Sequence, residues 1–292
     1  MTTCGFSSCG GDDDDDLIGG NGGNGGTTTE SPEPNPSQVF PAGIPQEANG
    51  YSIKTDDAGR VSEISDEYGL VKFAYGKFSR AIAATTEFNA KMEIYDTSYN
   101  GNSELEYIIY LQLNKDGFIT YALEEYADDE DNEIDEWRFG YNSDGQINYM
   151  FRTEGDNEEN FLTYADGNVI KNELKENGKV ERTTNVLYTN KTITTPIVNK
   201  GGIMEFDDAF ELDMDEMVFA YYAGMLGKPT KNLPVGNVDI SYDDNYPTYT
   251  GYYGLRWEMN DNGLPTAMYY YEMDADGNIT WENSYPEATY KW

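Results

Sequence analysis

Carboxylates dominate the residues of this chain that could do chemistry. Its 292 residues hold 54 aspartates and glutamates, 19 lysines and arginines, no histidine, and two cysteines. Two carboxyl groups about 5 to 10 Å apart are enough to hydrolyse a glycosidic bond. So many acids could supply such a pair repeatedly, and abundance makes any chosen pair uninformative until burial singles out the perturbed ones. The stretch "EMDADGNIT" alternates Glu272, Asp274 and Asp276 ahead of Gly277, like the first half of an oxygen-ligand calcium loop. Its twelfth position is Asn283 and no helix follows, so a hairpin turn is the better reading and a weak metal site the lesser one.

Other chemistries lack their residues. Without histidine there is no His-dependent nucleophile, no imidazole base and no commonest zinc ligand. Cys4 and Cys9 both precede the patterned part of the chain, which therefore carries no disulfide and no thiol nucleophile. No cofactor is implied. Aromatic side chains are the remaining resource: 25 tyrosines and 4 tryptophans combine an apolar face with a polar handle suited to stacking on sugars. Tyr249, Tyr252, Tyr253 and Trp281 are the candidates for such contacts. The competing explanation is that alternating aromatics line the core of a sheet, as most of them must.

The elements that position these residues read as strands. From Tyr51 onward, aromatic and β-branched residues alternate with polar ones between Asp-Gly and Asn-Gly pairs at residues 116, 144, 166, 177, 262 and 276. Such pairs predict tight hairpins of type I′. "LEYIIYLQL" places Leu105, Tyr107, Ile109, Leu111 and Leu113 on one face; "IDEWRFGYN" does the same for Trp137, Phe139 and Tyr141; "QINYMFR" groups Ile147, Tyr149 and Phe151. Tight turns should occupy one rim of the meander, and the acidic loops "ADDEDNE" and "EGDNEEN" the other. One segment breaks the pattern: residues 213–226 place Met214, Met217, Val218, Tyr221, Tyr222 and Met225 at helical spacing, with Gly227 and Pro229 as the stop. The expectation is a mainly β domain over 51–292, a curved antiparallel meander or open barrel, plugged or flanked by one amphipathic helix near 213–226.

Residues 1–50 read as a tether, glycine-rich first and proline-rich near the domain, too polar to offset the entropy of ordering. The formal net charge of −35 repels phosphate backbones, so nucleic acid is not an expected partner. No apolar run approaches the ~20 residues of a membrane-spanning helix. A lipid-facing barrel is disfavoured too, because Glu136 and Arg138 interrupt the face opposite Trp137 and Phe139.

The sequence also resembles known proteins. "FSSC" at Phe6–Cys9 approximates a lipobox, and the "GGDDDDD" that follows looks like the acidic export signal of Bacteroidetes-type surface lipoproteins. The folded part resembles family 4595 of the domains of unknown function, described as porin-like, through "AGMLGKPTKNLP" at Ala223–Pro234, "LRWEMNDNGLPTAMYYYEMDADGNITW" at Leu255–Trp281, and the end "TYKW". The resemblance implies a fold and an address: an outer-membrane, surface-exposed lipoprotein lipidated at Cys9, with a periplasm-facing position as the alternative. The family has no activity to carry over. The function expected is non-catalytic binding of a ligand such as a glycan. Its alternatives are a structural or adhesive module meeting a surface protein, and a carboxylate-dependent glycan hydrolase.

Overall fold

Five hairpin turns of this chain are closed by the side chain that begins them. Asp56, Asn114, Asn142, Asn260 and Asp274 each accept, through Oδ1, the backbone N–H groups two and four residues ahead. The glycine at the third step (Gly59, Gly117, Gly145, Gly263, Gly277) takes positive φ, while the residue before it does not. These are therefore type I turns ending in a left-handed glycine, not the type I′ turns expected from Asp-Gly pairs. The carboxyl or amide oxygen at the first position favours the right-handed form of the next two residues. Among the pairs singled out by sequence, only Asp166-Gly167 and Asn177-Gly178 have positive φ at both positions.

The computed structural model describes residues 31–79, 86–97, 103–127, 134–153, 157–242 and 247–292. Cys9, its aspartates, residues 128–133 of the first long acidic loop and residues 154–156 of the second lie outside these; the rest of the second, Glu158–Asn160, is strand and not loop. The first strands are β1 (Glu47–Ala48), β2 (Tyr51–Thr55), β3 (Val61–Ser65), β4 (Gly69–Phe78), β5 (Phe88–Asp96) and β6 (Glu104–Leu113). They are followed by β7 (Ile119–Tyr126), β8 (Ile134–Tyr141), β9 (Ile147–Arg152), β10 (Glu158–Ala165), β11 (Asn168–Glu176) and β12 (Lys179–Leu187). A long connection then holds β13 (Ile197–Val198), α1 (Phe206–Phe210), α2 (Met217–Tyr222) and β14 (Asn232–Leu233). The wall resumes with β15 (Gly236–Ser241), β16 (Tyr249–Met259), β17 (Pro265–Met273), β18 (Ile279–Glu282) and β19 (Ala288–Lys291).

Neighbours pair antiparallel from β1 to β12, β12 pairs with β15, and the run continues to β17. β18 and β19 pair end to end along β17 like one interrupted strand. β19 then pairs with β1, Glu47 opposite Lys291 and Ala48 opposite Tyr290, so the meander closes into a 16-strand barrel. The wall is uneven: β1, β2, β3 and β19 have two to five residues and stand beside β4 with ten. That leaves a notch on one side.

The barrel is filled. Ile109, Leu111 and Leu113 of β6 and Trp137 and Phe139 of β8 are buried, as their alternation predicts. Ile147 faces in with Met150, but Tyr149 and Phe151 do not share its face. Asn148 is an extra residue opposite the Gly140–Tyr141 step of β8, and it resets the period-2 pattern. Inward side chains meet the connection between β12 and β15, where Met214, Met217, Tyr221, Tyr222 and Met225 are buried, so the Met and Tyr stripe is core. Its helix is shorter than expected, Met217–Tyr222 instead of 213–226. The carboxylates of Asp213 and Asp215 are drawn to Arg152 on the wall, Asp215 has φ of 37°, and Gly224 at 76° ends the helix. Val39 and Phe40, from the segment before β1, complete the filling, with Phe40 against Tyr221 at 5.4 Å. A Cβ on Gly202 would lie 2.1 Å from the Val39 carbonyl oxygen, and one on Gly224 would lie 2.6 Å from the Cα of Pro36. Only glycine lets these backbones meet.

The outer wall is charged. Lys91–Glu93, Arg138–Glu136 and Lys171–Glu173 form ion pairs along it, and the guanidinium of Arg256 lies 3.9 Å from the ring centroid of Tyr269. Apolar side chains inside and ion pairs outside reverse the sidedness of a membrane-spanning barrel. Among the described residues no helix is long and apolar enough to cross a membrane.

Candidate functional site

At the rim where β7 and β9 end and β10, β12 and β16 begin, the inward side chains change from apolar to polar. Glu124 and Arg152 are buried there, Asn172, Thr184 and Asp239 midway along their strands, and Asn237 at the start of β15. Two amides hold α1 and its exit. Asn172 Nδ2 donates to the carbonyls of Phe210 and Glu211 at 3.0 and 3.1 Å, and Asn237 Nδ2 to that of Asp208 at 2.9 Å. Two arginines hold acids. Arg152 donates from Nε to Glu158 at 2.8 Å, from Nη2 to Asp213 at 3.0 Å, and from Nη1 to Asp215. Arg182 Nη1 reaches Glu211 Oε2 at 2.8 Å.

Other acids here have no ion pair as close, although Arg182 acts on Asp207 from a distance and Asn283 Nδ2 donates to Glu287 at 3.1 Å. Glu205, Asp207 and Asp208, at the start of α1, share a cavity of about 280 Å³ with Glu287, which sits in the interruption between β18 and β19. Glu205 is only 8% exposed and its Oε1 has no hydrogen-bond partner. Burial, then Asp208, Glu287 and Asp207, push its pKa well above the usual carboxylate value. Burial and the charges of Glu287 and Asp207 raise Asp208 to about 6. Glu211 rises to about 7 through burial, partly offset by Arg182. Across the barrel, burial and Glu216 raise Glu124 to about 7, although Trp137 Nε1 donates to it at 3.1 Å.

An aromatic strip borders these acids. Tyr249 and Tyr253 share the inward face of β16 with Leu255 and Trp257, while Tyr252 points outward. Tyr253 stacks on Tyr270 with centroids 5.4 Å apart, and Tyr270 meets Trp281 edge-on at 6.5 Å. Tyr249 and Trp281 are exposed, at 60% and 50%. Glu211 and Asp208 lie near enough to raise the pKa of the Tyr270 hydroxyl, after burial and Tyr253. Three of the four aromatic candidates thus converge at the mouth. The fourth, Tyr252, lines a separate outer groove with Leu187, Val238, Tyr271, Met273 and Ile279.

The three carboxylates of the calcium-like stretch do not converge. Glu272 pairs with Tyr253 and Trp281 on the inward face, whereas Asp274 spends its oxygens on Asp276 N, Asn278 N and Asn278 Nδ2. Those bonds lower the Asp274 pKa, and the Asp276 carbonyl accepts from Lys191. Among the described residues no group of three His, Cys, Asp or Glu side chains is placed to hold a metal ion.

Sequence reasoning missed Glu205, Asp208, Glu211 and Tyr270. One signal for the acids was readable: in "IMEFDDAFEL" they are interleaved with Met204, Phe206, Phe210 and Leu212, a short stretch made only of apolar and acidic residues. Chemically, the mouth offers stacking faces, hydroxyl-binding carboxylates, and acids protonated near neutrality.

A family model described as "Domain of unknown function (DUF4595) with porin-like fold" matches residues 53–267. A porin-like protein from Bacteroides uniformis superposes with a TM-score of 0.51 at 14% identity, covering 82% of this chain and 89% of that one. A porin-like protein from Bacteroides vulgatus gives 0.49 at 11% identity, covering 85% and 98%. At these identities the likeness is one of fold. No curated protein matches the sequence significantly.

Proposed function

The chain belongs to the DUF4595 family with a porin-like fold, and on that premise we propose that it is a non-catalytic surface lipoprotein of the outer membrane that binds a glycan at the barrel mouth. The observation that carries this reading is the strip Tyr249, Tyr253, Tyr270 and Trp281, exposed at both ends and bordered by carboxylates. Sugar rings stack their C–H faces on aromatic rings while their hydroxyls donate to acids. The packed interior favours holding a ligand over passing one through. The charged outer wall supports a barrel held beside a bilayer, with Cys9 and the tether as its attachment.

A glycan array tests the binding. Trp281→Ala with Tyr249→Ala should remove most of the signal of the best glycan, and binding that survives both changes overturns the stacking reading. For the anchor, labelled fatty acid should enter the wild-type chain and not Cys9→Ala.

Hydrolysis is the second reading, favoured by Glu205 and Asp208 in one cavity with raised pKa values. New reducing ends from a bound glycan, lost in Glu205→Gln with binding retained, would favour it over simple binding.

A further inference from the structure

The cavity between α1 and the notch holds more negative charge than its surroundings neutralise. Among the described residues that line it there is no lysine or arginine. Arg152 is engaged by Glu158, Asp213 and Asp215, and Arg182 by Glu211. Glu205 and Asp208 face Asp207, whose charge Arg182 offsets in part, and Glu287, which accepts from Asn283 Nδ2 at 3.1 Å. The Oε1 of Glu205 is buried without a hydrogen-bond donor, an arrangement proteins rarely leave unanswered. A donor from outside the chain would answer it.

A bare metal ion does not fit, because no trio of acids is placed to coordinate one among the described residues. The acids are spread along a cavity whose remaining lining is largely carbon, including Met204, Phe206, Leu212 and Met214. We propose that this cavity binds an organic cation, with ammonium groups on an apolar body, whose N–H donors go to Glu205 and Asp208 while its carbons lie on Met204 and Phe206. An ammonium carries three donors and no acceptor, which suits a wall of carboxylates. Two sources supply this chemistry: an aliphatic polyamine, or an amino sugar that would also reach the aromatic strip. Only the second rests on the glycan reading.

Titration calorimetry on the full chain separates them, using spermidine, a glucosamine oligosaccharide, and its N-acetylated counterpart as probes. At least one amine should bind, with Glu205→Gln and Asp208→Asn each weakening it by about tenfold or more. Asp57→Asn, an equal change of charge on an exposed turn at the opposite rim, should leave it unchanged. Binding should also expel a proton, read from buffers of different ionisation enthalpy, since an ammonium draws the protonated Glu205 into its charged form. Glu205→Gln should abolish that release. Failure of both amines to bind, or equal weakening by Asp57→Asn, overturns the proposal. An acetylated oligosaccharide that binds as well as the free amine overturns it too, while leaving the glycan reading intact. Spermidine binding with no saccharide binding supports it with the polyamine as the source, and leaves the glycan reading to the array.

Discussion

Arg152, on the barrel wall, donates from Nη2 to Oδ2 of Asp213, on the plug, 3.0 Å away. The same guanidinium reaches Glu158 and Asp215, and its side chain is 9% exposed, so it ties the end of β9 to the segment between α1 and α2. Breaking a fully buried pair costs roughly 3–5 kcal/mol. Asp213 is half exposed, which lowers the expectation. Arg152→Met should destabilise the barrel by about 2 kcal/mol in urea unfolding, and Arg152→Lys, which keeps the charge but not the fork, should recover only part.

Acid should stabilise this protein. Glu124, Glu211 and Asp208 have folded pKa values raised to about 7, 7 and 6, above their unfolded values. Between the two values the native state binds more protons, so stability is fullest below the unfolded pKa and falls as pH rises through the folded one. The melting temperature should therefore decline between about pH 4.5 and 7. Glu124→Gln should flatten part of that slope and raise stability at pH 8 by about 1–2 kcal/mol. Trp137, whose Nε1 donates to Glu124, reports the change by fluorescence.

Two glycines join the plug to the N-terminal segment. Gly202 has φ of 73°, and its Cβ position lies against the backbone oxygen of Val39, which no rotamer change can move. Gly202→Ala should cost more than about 2 kcal/mol by thermal melting, from left-handed strain and the clash together.

The turn at 274–278 should behave as a turn. Asp274→Ala removes the oxygen that accepts from Asp276 N and Asn278 N, and hydrogen exchange at those amides should accelerate. Added calcium should not restore protection, whereas a metal site would lose its calcium response on this substitution.

Much of the wall was legible because period-2 alternation survives over long runs of most strands. It failed where Asn148 adds a residue to β9, since one inserted position flips every later side chain. Tyr252 and Tyr253 are adjacent in a strand and must face opposite sides, so their separation was readable in principle. The split of the plug into two short helices was not. It depends on Arg152, more than sixty residues earlier, claiming Asp213 and Asp215. Nor was closure, which rests on two residues of β1 meeting β19, too short a strand to carry a pattern of its own. The cavity acids stayed hidden among 54 because only burial distinguishes Glu205 from its neighbours.

The seam between β1 and β19 also sets an order of events during folding. Glu47 must find Lys291 across nearly the whole chain, a contact whose loop-closure cost makes it one of the last to form. A chain made from its N-terminus therefore keeps an open cylinder, with an unpaired edge at β1, until residues 288–291 arrive. The plug, complete by residue 235, is already available by then to template the curve. The final zip of the wall is less an ornament of the fold than a timer on when its sticky edge disappears.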